Sequence, residues 1–241
     1  MIIFPLVVFG LRTVVYVLAA LIPAAVLCRY IFKADKVEKE PPALLIVLLL
    51  GGALSTIPAG IIEYIFEAVA GGILDSSTNF FGIFTAICIV GVTEELCKYF
   101  VLKFITWKNR NFNYRFDGIV YAVFVSLGFA AAENIMYVFN YGLGVALSRA
   151  VLSIPGHMCF AVLMGYHYGR AKALANRGLE AGVKYQLRQG CIFAILAHGI
   201  YDACLMVDWG IATVIFFAYV IFLFIKIFRT VKKEAASDTM I

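Results

Sequence analysis

The chain has 241 residues, 63% of them hydrophobic and only 15% charged, with a mean hydropathy of +0.93. Average soluble domains hold about 45–50% apolar and about 25% charged residues, so packing against water cannot hide this much apolar surface, and the solvent must be lipid. The net charge of +5 gives no nucleic-acid footprint, and the six cysteines fall in apolar segments without C-x-x-C spacing, as small apolar fillers rather than metal ligands.

In lipid every backbone polar group must be satisfied internally, which leaves helix bundles or closed barrels. Runs such as Ala43–Leu50 and Ile211–Ile225 lack the alternation of a barrel strand. The expected fold is therefore an all-α polytopic bundle, and at about 20 apolar residues per crossing the chain divides into seven transmembrane helices. Span 1 covers about 11–32. It has neither a basic leading region nor a small-residue cleavage site, so it reads as a span rather than a signal peptide. A charged connector with Lys33, Lys36 and Lys39 follows, ending in Pro41 and Pro42. Span 2, about 43–69, contains Pro58 and Gly60 and is expected to kink or tilt. Its Glu63 and Glu67 are read as solvated residues near the membrane surface.

Span 3, about 80–105, carries Glu94-Glu95-x-x-Lys98. Span 4, about 117–139, carries Phe129-x-x-x-Glu133-Asn134. Span 5, about 147–169, holds His157, and span 6, about 189–207, holds His198-x-x-x-Asp202. Span 7 covers about 209–229. Lysines and arginines crowd alternate connections: Lys33–Lys39, Lys103–Arg115, Arg170–Arg188 and the tail from Lys226. The stretches at Gly71–Asn79, Asn140–Leu147 and Asp208 have none. With seven spans, the positive-inside rule places the N-terminus outside and the C-terminus in the cytoplasm. No linker or repeat divides the chain, so residues 1–241 are expected to form a single membrane-embedded domain.

Threaded in alternating directions, the spans bring Glu94, Glu133, His157 and His198 to similar depth. Ionisable groups there are costly, at about 2.5–3.5 kcal/mol each on insertion scales, and are functional by default. Glu94 and Lys98 share a helix face, and Glu95 points about 100° away, toward another helix or into isolation. One lysine is not expected to satisfy both acids. His198 and Asp202 also share a face, and an aspartate beside an imidazole sets its tautomer and orientation. His157, Ala161, Gly165 and Gly169 form a small-residue ridge suited to close helix approach. His167, beside Arg170, reads as interfacial.

The sequence contains no H-E-x-x-H, G-x-S-x-G, Walker loop or G-x-G-x-x-G opening a helix. Carboxylates and imidazoles in a water-poor cavity suit general-base activation of water and polarisation of a carbonyl. Two alternatives use the same residues: zinc held by two histidines and a glutamate, and proton or ion translocation. A non-enzymatic transporter or an immunity-type binding protein is the reading from a different class.

The ordered series Glu94-Glu95-Leu96-Cys97-Lys98, Phe129-Ala-Ala-Ala-Glu133-Asn134, His157 and His198-Gly-Ile-Tyr-Asp202 resembles the motif series of the PrsW intramembrane proteases. The connector Asp35-Lys36-Val37-Glu38-Lys39-Glu40-Pro41 and the run Phe116-Asp117-Gly118-Ile119-Val120-Tyr121 are similar to that family too. The likeness runs from Asp35 to Asp202. It extends to the glutamate-type CAAX-endopeptidase and bacteriocin-immunity superfamily, in which the E-E motif supplies a base and H-x-x-x-N/D helps hold the oxyanion. It implies a multi-pass protein of the bacterial inner membrane that cuts a single-span membrane substrate, an anti-sigma factor, in envelope-stress signalling. On this reading Glu94 is the general base, with Glu95 second in line. Lys98 holds the carboxylates, and Glu133 and His157 position water or substrate. His198 is the oxyanion donor, oriented by Asp202, while Phe129 and Asn134 support the site. No cofactor and no nucleic acid are expected, with zinc kept as the alternative.

Overall fold

The computed structural model describes residues 3–241, with side chains at residue 10 and from residue 12 onward. Among these residues there are helices and no strand, only an isolated bridge between Tyr114 and Met240. Seven helical segments are long and apolar enough to cross a membrane: Arg12–Ala34, Pro42–Gly71, Asn79–Thr106, Asp117–Tyr141, Leu143–Ala175, Glu180–Met206 and Gly210–Ala236. The chain is a multi-pass membrane protein.

Span 1 is α1 (Ile3–Ala34). Span 2 is two helices, α2 (Pro42–Leu54) and α3 (Thr56–Gly71). The expected kink lies at Ser55, where two side chains bond back to their own helix: Ser55 Oγ to the Gly52 carbonyl and Thr56 Oγ1 to the Ala53 carbonyl, both at 2.7 Å. Such back-bonding bends helices, and Pro58 brings no N–H to the next turn.

Spans 3 and 5 share an irregularity. Span 3 runs from α4 (Asn79–Phe84) through a π-helical stretch, π1 (Thr85–Gly91), into α5 (Val92–Thr106). Span 5 runs from α7 (Leu143–Ser148) through π2 (Arg149–Ser153) into α8 (Ile154–Ala175). A π turn widens the hydrogen-bond step to i→i+5 and turns the following residues to a new face. Glu94 and His157 each follow such a stretch by a few residues.

Span 4 is α6 (Asp117–Tyr141), buried at every position from Asp117 to Ala130. Apolar side chains on all faces make it the central helix, packed by α8, α2, α1 and α5. The small-residue ridge on α8 meets it as expected. A Cβ on Gly165 would lie 2.5 Å from the Gly118 carbonyl oxygen and 2.6 Å from Ile119 Cα, so only glycine lets α6 and α8 approach this closely. Span 6 is α9 (Glu180–Met206) and span 7 is α10 (Gly210–Ala236). The sequence reading started span 6 near residue 189. The helix begins about two and a half turns earlier, at Glu180, because Glu180, Lys184, Gln186 and Arg188 are good helix formers that extend it past the apolar stretch.

At the end that carries the basic loops, the α5–α6 loop is tied down by carboxylates. Asp117 accepts from the backbone N–H of Asn113 (3.0 Å) and Tyr114 (2.7 Å), Asp238 accepts from that of Phe116 (2.9 Å), and the Tyr121 hydroxyl donates to Glu40 (2.7 Å). Burial pushes the carboxyl of Asp35 up to about 6 and that of Glu40 up to about 7.

Candidate active site

A cavity of about 600 Å³ lies between α3, α5, α6, α8 and α9 and the two π stretches. Glu94, Phe129, Glu133, His157, His198 and Asp202 line it. Four helices therefore bring residues far apart in sequence to one wall.

Lys98 is the hub. Its buried ammonium donates to Glu94 Oε2 at 2.9 Å, to Glu95 Oε1 at 2.8 Å and to His157 Nδ1 at 3.2 Å. An ammonium has three N–H groups, so all are committed. The expectation that one lysine could not serve both acids is corrected here. Glu94 and Glu95 lie four and three residues before Lys98, and positions at both spacings neighbour the same residue on a helix. The Phe129 ring sits with its centroid 4.2 Å from the Lys98 nitrogen, close enough for a cation–π contact.

The two glutamates differ in what they face. Glu94 lines the cavity. Glu95 is 1% exposed and turns to another helix, where its Oε1 lies 3.0 Å from His198 Nδ1. Its Oε2 has no hydrogen-bond donor. The 100° offset expected from the helical period is thus resolved by pairing with α9.

Because Lys98 can only donate, His157 Nδ1 must accept, which leaves the proton on Nε2. That nitrogen lies 3.0 Å from Glu133 Oε2. The other imidazole is held at both nitrogens, with His198 Nδ1 on Glu95 and Nε2 3.2 Å from Asp202 Oδ2. Phe160 stacks on the His198 ring at 4.8 Å, and the two imidazoles meet edge to face at 5.2 Å. Asp202 thus orients His198 as its spacing suggested, and it also occupies the nitrogen that an oxyanion would need.

Asn134 does not reach the cavity. It is fully buried, donates to the Ala20 carbonyl and accepts from Arg149 Nε, each at 3.0 Å. Glu63 and Glu67, read from sequence as solvated, line the cavity wall; Glu67 is exposed, but Glu63 is half-buried with one oxygen lacking a donor. The bend at Ser55 swings α3 across the cavity, which hydropathy does not reveal. His167 lies outside the site and meets Gln186 at 2.7 Å. Sequence reasoning overlooked Arg149, which lines the cavity 3.0 Å from Glu133. An arginine inside an apolar span was itself the signal.

Residues 40–228 match the family described as "PrsW family intramembrane metalloprotease". The chain belongs to the PrsW family of intramembrane proteases. It is 36% identical over 185 residues to Protease PrsW of Oceanobacillus iheyensis, covering 76% of this chain and 80% of that protein. Identity to Protease PrsW of Geobacillus kaustophilus is 32% over 194 residues, 80% of this chain and 81% of the relative. For the Bacillus subtilis protein it is 32% over 186 residues, covering 76% and 79%. No solved structure matches the chain. The family makes this PrsW protein a peptidase, in place of the transporter or immunity-type reading.

The family description implies a metal. Glu94, Glu95, His157 and His198 each offer a donor atom, and these atoms lie within 4.8 Å of one another. Two imidazoles and two carboxylates suit zinc in type and number, so by donor chemistry the group could hold a metal ion. Its geometry argues otherwise, because Lys98 Nζ already bridges three of those four residues. A dication entering among them would have to expel the ammonium and break its three hydrogen bonds. In this arrangement the set does not fit a metal.

Proposed function

We propose that this PrsW-family protein hydrolyses a peptide bond by glutamate-activated water, without a metal, with Lys98 as the cation of the site. The observation that carries the reading is the split between the acids. Glu94 faces the cavity, where water and substrate meet, while Glu95 is locked behind it between Lys98 and His198. Glu94 takes the proton from water as general base. Lys98 holds that carboxylate in place, and Glu133, whose Oε2 is taken by His157, orients the attacking water through its other oxygen. As the substrate carbonyl enters, it takes over the Nε2–H of His198 from Asp202, which lines the cavity with its side chain 17% exposed. His198 then stabilises the developing oxyanion, and its collapse breaks the C–N bond as Glu94 returns the water proton to the leaving amine.

The substrate we assign, on the resemblance of the motif series, is a single-span membrane protein of the anti-sigma-factor kind. It is cut at the outer side of a bacterial inner membrane as the first step of envelope-stress signalling. The N-terminus lies outside and the C-terminus in the cytoplasm, which places the basic loops inside.

Purified protein in lipid nanodiscs is given a defined single-span substrate, and its metal content is measured alongside. Cleavage at one position, lost in Glu94→Gln and insensitive to chelator, is the expected result. Stoichiometric zinc, together with chelator-sensitive activity that zinc restores, would overturn the metal-free mechanism. A wild-type protein that yields no defined product from any such substrate would overturn the hydrolytic reading.

A further inference from the structure

Among the described residues, Arg149 is the only lysine or arginine that lines the cavity, and it belongs to none of the motifs. It is the first residue of π2, the stretch that turns span 5 so that His157 faces the site. Its side chain is 12% exposed. Three residues of α6 hold it. Nη2 lies 3.0 Å from Glu133 Oε2, Nε donates to Asn134 Oδ1 at 3.0 Å, and the guanidinium carbon sits 3.9 Å from the centre of the Tyr137 ring.

The contact with Glu133 falls on the oxygen that matters. Glu133 Oε2 takes the Nε2–H of His157 at 3.0 Å and lies 3.0 Å from Arg149 Nη2, an ion pair held by charge without hydrogen-bond geometry. The other hydrogen bond of the His157 ring is at Nδ1, to Lys98, and Phe160 and His198 pack against the ring. A carboxylate orients an imidazole only as firmly as it is itself held. Without Arg149 the glutamate can turn about its side-chain torsions, and the imidazole loses its anchor on that side.

We propose that Arg149 is a positioning residue of the peptidase reaction: by pairing with Glu133 Oε2 it holds His157 in the orientation that faces the cavity. This rests on the hydrolytic reading above. The competing role is a structural bolt, in which Arg149 joins π2 to α6 through Asn134 and Tyr137 and Glu133 is incidental. The two roles separate in a double-mutant cycle, because a residue acting through Glu133 has nothing left to act on once Glu133 is changed.

Single-turnover cleavage is measured for wild type, Arg149→Gln, Arg149→Lys, Glu133→Gln and the Arg149→Gln/Glu133→Gln double variant. Small displacements of positioned groups cost up to about 100-fold, so Arg149→Gln is expected to lower kcat by about 10- to 100-fold with KM within about threefold. Arg149→Lys keeps the charge and should recover part of the loss. On the Glu133→Gln background the same change should cost less than about twofold. A readout independent of activity is the ¹⁵N spectrum of the imidazoles, tractable because the chain has only three histidines. His157 should be protonated at Nε2 and not at Nδ1, with that N–H signal moved by Arg149→Gln. An Arg149→Gln enzyme with at least half the wild-type kcat overturns the proposal. So does an equal loss on both Glu133 backgrounds, or a His157 spectrum unchanged by the substitution. If wild type itself cleaves nothing, the hydrolytic reading fails separately, and the spectrum alone decides Arg149.

Discussion

Glu94→Gln and Glu95→Gln are the most informative pair of changes, because the structure gives adjacent, chemically identical residues different work. Glu95 accepts two hydrogen bonds from cationic or ring donors, Lys98 at 2.8 Å and His198 at 3.0 Å. Hydrogen bonds to charged groups contribute about 1.5–3 kcal/mol each, roughly twice a neutral one. Glutamine keeps the shape but loses about half of each, a total of about 1.5–3 kcal/mol. Its amide N–H₂ sits where Glu95 Oε2 already has no partner, so that position is unsatisfied before and after the change. Glu95→Gln is therefore expected to destabilise the fold by about 1.5–3 kcal/mol. Glu94 makes one such bond, to Lys98 at 2.9 Å, and its other oxygen is free of protein donors, so Glu94→Gln should cost only about 1 kcal/mol. Its effect on rate should be far larger, since removing a general base costs about 100- to 10,000-fold. Unfolding in mixed micelles, followed by denaturant titration, reads the first quantity; single-turnover cleavage reads the second. The reasoning is refuted if Glu94→Gln retains a tenth of wild-type activity. It is equally refuted if Glu94→Gln proves the less stable of the two.

Three further outcomes test other parts of the structure. Reporter fusions after Lys108 and Arg177 should read cytoplasmic and one within Gly71–Asn79 external; the opposite pattern would invert the topology assigned from the basic loops. Asp35 and Glu40 have carboxyls raised by burial to about 6 and about 7, so the folded state binds more protons than the unfolded chain, whose acids titrate near about 4. Stability should therefore fall as pH rises from about 4 to about 7; Glu40→Gln should flatten the upper part of that slope, and a thermal-melting series in detergent that rises with pH would contradict it. Gly165→Val places side-chain atoms where the Gly118 carbonyl and Ile119 now lie, within 2.5–2.6 Å of a Cβ; it should cost about 1–3 kcal/mol or more and reduce cleavage by parting Glu133 from His157, whereas wild-type stability would show that α6 and α8 tolerate separation.

The span count was legible in the chain, because lipid imposes one requirement that composition must meet: a run of about 20 apolar residues whose backbone bonds to itself. The kink in span 2 and the close approach of α8 to α6 were equally legible, since Pro58 and the ridge ending in Gly165 and Gly169 act through local backbone and side-chain size. Glu94, Glu133, His157, His198 and Asp202, which line the cavity, stood out in the sequence as ionisable groups where charge is costly, whereas Arg149 was overlooked and Asn134 lies outside the cavity. What each charge does was not legible. Helical spacing put Glu94 and Lys98 on one face, but it did not show that Lys98 also reaches Glu95 and His157 and so takes a cation's place. Nor did it show that π1 and π2 turn the two spans, that Ser55 bends Glu63 over the cavity, or that Arg149 shares an oxygen with His157. Those relations depend on distances between helices and on the rotation of each helix about its axis. Hydropathy is blind to both, because every face of a lipid-embedded helix looks apolar until its neighbours are in place.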